Sequence, residues 1–210
     1  MLDVGLPLNA QTKDVALPHI RGFHAPDPSL LGIIISHPHQ DHYGLADKLP
    51  KETPFLIGKA AEGILAAAAQ LSPAGVILEN TTHLKHRQPM VLGPFRVTPY
   101  LVDHSGYDAY AVLVEADGKR LFYTGDLRAH GRKSKLFDQL VRDPPKDVDV
   151  LLMEGTTVGR ADTELGFPTE HELEARFVAS FRQTTGMPLV WCAGQNGDRI
   201  VTVFRACKKA

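Results

Sequence analysis

Cysteine is nearly absent: Cys192 and Cys207 are the only two in 210 residues. One falls in a predicted strand and the other in a predicted helix, which argues against a disulfide framework and leaves both as small packing residues. No apolar run approaches the ~20 residues that a membrane-spanning helix needs, and no basic region followed by an apolar core opens the chain. The expectation is a cytoplasmic protein without membrane contact. Neither sign of charge is in excess, since 23 Lys and Arg stand against 24 Asp and Glu for a net charge of −1. That removes a global electrostatic footprint for nucleic acid, although a local basic groove needs only local charges. Apolar residues at 43% and charged residues at 22% exclude a disordered chain, and no internal repeat is present. The length suffices for one buried core, or for one domain and part of another.

Against this ordinary background one stretch stands out, Ser36-His37-Pro38-His39-Gln40-Asp41-His42. It follows Leu31-Gly32-Ile33-Ile34-Ile35, an apolar, β-branched run that reads as a buried strand. In extended backbone side chains alternate, so His37, His39 and Asp41 project to one side, and a turn brings His42 beside them. Imidazole and carboxylate donors without thiolate suit zinc, and less exclusively manganese or iron.

Two further strand ends carry metal-competent residues. Pro89 to Leu101 holds two apolar segments around the turn signal Gly93-Pro94, and the second runs into Asp103-His104-Ser105-Gly106. Ala109 to Glu115 and Arg120 to Thr124 flank Asp117-Gly118, a hairpin signal, and the second strand exits into Gly125-Asp126. Convergent strand ends are where sheet-based sites are built.

The remaining pattern is strand alternating with helix, as in α/β layering. Strands are predicted at Met1 to Leu8, Pro54 to Ile57, Val148 to Met153 and Leu189 to Cys192. Helices are predicted at Gly44 to Leu49, Ala60 to Leu71, Lys135 to Arg142, Thr169 to Thr185 and Asp198 to Lys209. Thr169 and Glu172 form a capping box, and the last helix carries an apolar stripe at Ile200, Val201, Val203 and Phe204. His19 and His24 lie in a Pro- and Gly-rich loop and read as loop residues.

The run His37-x-His39-x-Asp41-His42 resembles the HxHxDH signature of the metallo-β-lactamase fold. The resemblance implies an αββα four-layer sandwich with one or two metal ions at the edge of the two sheets. Tyr123 to Arg132 resembles the corresponding segment of RNase J-like hydrolases, Leu151 to Thr157 is similar to the acidic motif opening the second domain of their β-CASP relatives, and Gln195 to Arg199 looks like the start of a β-CASP helix. These matches run from Asp3 to about Ala206. By this resemblance His37, His39 and His104 are ligands of a first zinc or manganese ion, Asp41 and His42 of a second, and Asp126 bridges both. Asp41 and Asp126 are the catalytic carboxylates, Asp3 holds the ligand loop, Glu154 marks the second acidic motif, and Ser105, Arg128, His130 and Arg132 are substrate contacts.

Two departures from the family pattern follow. No histidine after Asp126 fits the role of the late ligand that completes the second site, because His130 is too near in sequence and His171 sits in a predicted helix. The β-CASP part is represented only by its start, so the expectation is an incomplete sandwich, truncated at both ends. It comprises a metal-binding domain over 1–160 and the beginning of a β-CASP-like domain over 161–210. The leading functional expectation is a phosphodiesterase acting on RNA or single-stranded nucleic acid through metal-bound hydroxide. The alternatives are a small-molecule ester, lactam or thioester hydrolase of the same fold, and an inactive remnant that binds metal or a partner, with self-association as a homo-oligomer.

Overall fold

A computed structural model describes residues 1–72, 75–159 and 166–210. The expected domain boundary at 160/161 lies outside the described residues. Ile33–Ile34 (β1), Phe55–Gly58 (β2) and Thr81–Leu84 (β3) form a parallel sheet in that order. Met90–Leu92 (β4), Phe95–Leu101 (β5), Tyr110–Ala116 (β6), Lys119–Tyr123 (β7) and Val150–Leu152 (β8) form a second sheet. It is antiparallel as far as β7 and parallel between β7 and β8. The helices are Gln40–Tyr43 (α1), Lys59–Leu71 (α2), Ser134–Arg142 (α3), Glu170–Gln183 (α4) and Gly197–Lys209 (α5). No described helix is long and apolar enough to cross a membrane.

The period-two alternation of the strands sorts their side chains into layers. Ile33, Ile35, Phe55 and Ile57 face Ala61 and Leu65 of α2, whereas Ile34 and Leu56 point the other way and meet Val97 and Val112 of the second sheet. The opposite face of that sheet presents Ala111, Leu113 and Phe122 to Leu140 of α3 and to Val148. Helix, sheet, sheet and helix thus stack as the expected four-layer αββα sandwich. The turn chemistry also holds, because Asp117 and Gly118 adopt φ of 50° and 71° between β6 and β7, the left-handed pair that a tight hairpin needs.

Several expectations are corrected. Met1 to Leu8 forms no strand; Leu2 makes one bridge to Ile34, and the segment then wraps the ligand loop through Val4 N to His42 O (2.9 Å) and Leu6 N to Gln40 O (3.0 Å). Gly5 is required there, since a Cβ would lie 1.6 Å from the Asp41 carbonyl oxygen. Helix begins earlier than expected, at Gln40, and a 3-10 turn over Ala46–Lys48 replaces the predicted helix from Gly44 to Leu49. Leu189 to Cys192 has strand propensity but no ladder partner among the described residues, and Trp191 is fully exposed. Cys207 is exposed rather than packed.

Helix α5 turns its apolar stripe outward. It buries Asp198, Thr202 and Ala206, while Ile200, Val201 and Phe204 face outward at 44–63% exposure. The reason is ionic: α5 packs on α4, whose capping box forms as expected and whose buried residues are Glu170 and Glu174.

Candidate metal centre

β1 leads into the loop that bears His37 and His39, and α1 presents Asp41 and His42 from one turn of helix rather than from extended chain. His104 follows β5, and Asp126 follows β7. The three stretches meet. His39 Nδ1 lies 3.0 Å from both His37 Nε2 and His104 Nε2. Asp126 Oδ2 stands 3.9 Å from His37 Nε2 and 3.8 Å from His104 Nε2, and its Oδ1 is 3.5 Å from His42 Nε2. Two groups could each hold an ion: His37, His39 and His104, and His37, His42 and Asp126. Asp41 Oδ2 borders the second, 3.5 Å from His42 Nε2.

The donors fit a cation. Zn–N bonds of about 2.0–2.1 Å place tetrahedral ligand nitrogens about 3.3 Å apart, close to the spacing found. Burial is the main reason that His37 and His39 are held below the ordinary imidazole range and His104 near 3, with neighbouring imidazoles adding to it. All three are therefore neutral, with lone pairs available to a metal. His42 differs. Burial works against its charge, but Asp126 and Asp3 on either side outweigh it and raise it to about 10. Cation binding through His42 Nε2 would accordingly release a proton.

Asp3 organises the cluster as expected. Its carboxylate accepts from Ser36 N (2.7 Å), Ser36 Oγ (2.8 Å), His42 Nδ1 (2.7 Å) and Tyr123 Oη (2.6 Å). Such partners fix imidazole orientation around a metal. Tyr123 was not legible as a site residue; burial and the Asp3 charge raise its phenol, so it stays a neutral donor.

A family model described as the beta-lactamase superfamily domain matches residues 11–184. The chain belongs to that family. Among curated relatives, Ribonuclease J of Mycobacterium tuberculosis is 27% identical, covering 92% of this chain and 35% of its own length. Ribonuclease J of Helicobacter pylori is 23% identical, covering 89% of this chain and 28% of its own length. This chain therefore spans about a third of the curated relatives it matches. Among solved structures, a protein of unknown function from Enterococcus faecalis V583 aligns with TM-score 0.73 at 20% identity, over 96% of this chain and 56% of that one. A metallo-β-lactamase from Cronobacter sakazakii aligns with TM-score 0.51 at 14% identity, over 99% of this chain and 74% of that one. These likenesses concern the fold.

In this β-lactamase superfamily chain the residues expected to contact substrate, and Glu154, also make contacts within the fold. Arg128 pairs with Asp198 (2.5 Å), and its buried Nε, 3.9 Å from Asp103, has no hydrogen-bond partner among the described residues. Arg132 donates to Glu174 (2.6 Å) and Thr202 (2.8 Å). The His130 ring lies 5.2 Å from that of Phe167, tilted by 31°, and the His130 carbonyl accepts from Glu170 N. Ser105 gives its carbonyl to Gly197 N (3.1 Å). Glu154 accepts from Leu127 N (3.2 Å) and Thr156 N (3.1 Å), tying the β8 exit to the loop after Asp126. The charges of Arg128 and Arg132 are engaged by carboxylates distant in sequence.

That ionic seam predicts an acid response. Hydrogen bonds from Lys209 and Arg132 lower Glu174 from 4.5 to about 2. A carboxylate depressed on folding contributes stability above its unfolded value and loses it as pH falls through the folded one. The α4–α5 pair should thus stay docked down to pH about 4 and loosen toward pH about 2. Amide exchange in α4 and α5 during an acid titration would reveal this; loosening already at neutral pH would contradict it.

Proposed function

We propose that the chain is the metal-binding part of a cytoplasmic, metal-dependent phosphodiesterase that acts on RNA or single-stranded nucleic acid. The reading is carried by one observation, the convergence of His37, His39, His104 and Asp126 from separate strand ends within hydrogen-bond to ion-pair distance. Similarity to proteins named Ribonuclease J over most of this chain supports the substrate class. Zinc, or manganese in its place, would be held by His37, His39 and His104, with His42 and Asp126 at a second position, and would supply electrophilic activation of a phosphoryl oxygen and acidification of water.

The chain's own groups divide the remaining work. Asp126 turns one oxygen toward His37 and His104 and the other toward His42, which suits it to join two cation positions. Asp41, one third exposed and beside His42, is placed to take a proton from an attacking water. Asp3 keeps His42 oriented throughout.

A second reading is favoured by the engaged Arg128 and Arg132 and by a cavity of about 340 Å³ beside Asp126. Its wall is formed by Tyr123, Leu151, Leu152, Met153 and Glu154. Such a wall suits a small ester, lactam or thioester better than a polyanion. Metal-loaded protein should cleave a labelled RNA and lose that cleavage in strong chelator, with little turnover of a chromogenic lactam or ester. RNA cleavage that persists in chelator rules out the mechanism, and the reverse substrate preference selects the second reading.

A further inference from the structure

The start of α5 touches all three stretches that carry candidate ligands. Gln195 Nε2 donates to Tyr43 Oη at 3.1 Å, and Tyr43 closes the turn that holds Asp41 and His42. Gly197 N donates to Ser105 O at 3.1 Å, one residue beyond His104. Asp198 then accepts from Arg132 N (3.1 Å) and Lys133 Nζ (2.7 Å) and pairs with Arg128, all within the loop that follows Asp126. Ligand loops from three places in the sequence are fastened to a single turn.

We infer that Gln195 is a positioning residue, and that the turn Gln195–Asp198 acts as a latch that sets the affinity of the histidine cluster for its cation. The inference rests on the metal-centre reading above and adds to it a dependence on α5. Partners that fix a ligating imidazole restrict its orientation before the cation arrives, so their loss weakens binding without removing a ligand. The Tyr43 hydroxyl is the handle, because it connects Gln195 to the α1 turn.

The test measures the zinc dissociation constant of the full chain by competition with a chromophoric chelator. Gln195→Ala and Tyr43→Phe should each weaken zinc binding by about tenfold, within the range typical of groups outside the ligand set. If they act through one hydrogen bond, the double variant should lose little beyond either alone. Arg205→Ala removes an ion pair to Glu174 (3.0 Å) at the far side of α5 and is the control, expected to lower stability while leaving the zinc constant unchanged. Wild-type affinity in both single variants overturns the latch, as does an equal loss in Arg205→Ala, which would mark a general effect of stability. A wild-type chain that takes up no zinc overturns the metal reading itself, a different failure.

Discussion

Alanine at position 104 should abolish stable metal loading. His104 comes from a loop separate from the histidine-rich one, and its Nε2 stands 3.0 Å from His39 Nδ1 and 3.8 Å from Asp126 Oδ2. Without it the first group keeps only His37 and His39, two donors two residues apart on one loop, which leaves a cation with two sites open to water. Loss of affinity beyond about a hundredfold is expected, larger than the 10–100-fold typical for residues that merely orient ligands. His104 is the better choice for the test than His37, which is wholly buried and whose removal would also open a hole in the packing. Metal content per chain after dialysis, together with the shift in melting temperature on adding zinc, reads the effect. His104→Ala retaining zinc with wild-type affinity would remove this residue from the centre and, with it, the proposed hydrolytic mechanism.

The second large effect is expected from Asp198→Ala. Asp198 is 4% exposed, and its carboxylate serves Arg128, Lys133 and the Arg132 amide at once. Burial alone would raise its pKa, but the surrounding cations outweigh that and lower it, so the group is ionised in the fold. Removing it leaves two largely buried cations sharing Asp103, whose own pKa is raised, chiefly by burial. Breaking such a buried pair from one side costs about 3–5 kcal/mol, mainly because charge is left uncompensated. Since whole domains are stable by only about 5–15 kcal/mol, the response should be concentrated in α4 and α5. Their amides should exchange freely before the sandwich unfolds. Urea denaturation and amide exchange measure both parts; a change within about 0.5 kcal/mol would place this seam among solvent-screened surface pairs.

The contrast between these two sites shows how far local pattern reaches. Candidate ligands such as His37, His39 and His42 crowd into one short stretch after an apolar strand, so their association is written in neighbouring residues. His104 and Asp126 were legible because each ends a strand in a glycine-containing turn, and the four-layer sandwich brings strand ends to one rim. The hairpin at Asp117-Gly118 and the capping box at Thr169 and Glu172 formed for the same reason, since their chemistry is complete within four residues. By contrast, the partners of Arg128 and Arg132 were not legible, because Asp198 and Glu174 lie more than forty residues away in sequence.

The sequence by itself determined the alternation of apolar strands with amphipathic helices, through periods of two and 3.6, and the donors able to hold a cation, through residue type at strand ends, while the four-layer sandwich was what the resemblance of the His37 to His42 run implied. Only the tertiary structure decided which charges remain available to a substrate and which face of α5 is buried. The physical reason is that side-chain period reports burial against whatever apolar surface is nearby. Compensation of buried charge, in contrast, depends on which distant groups the chain brings within about 3–4 Å, and no local pattern encodes that.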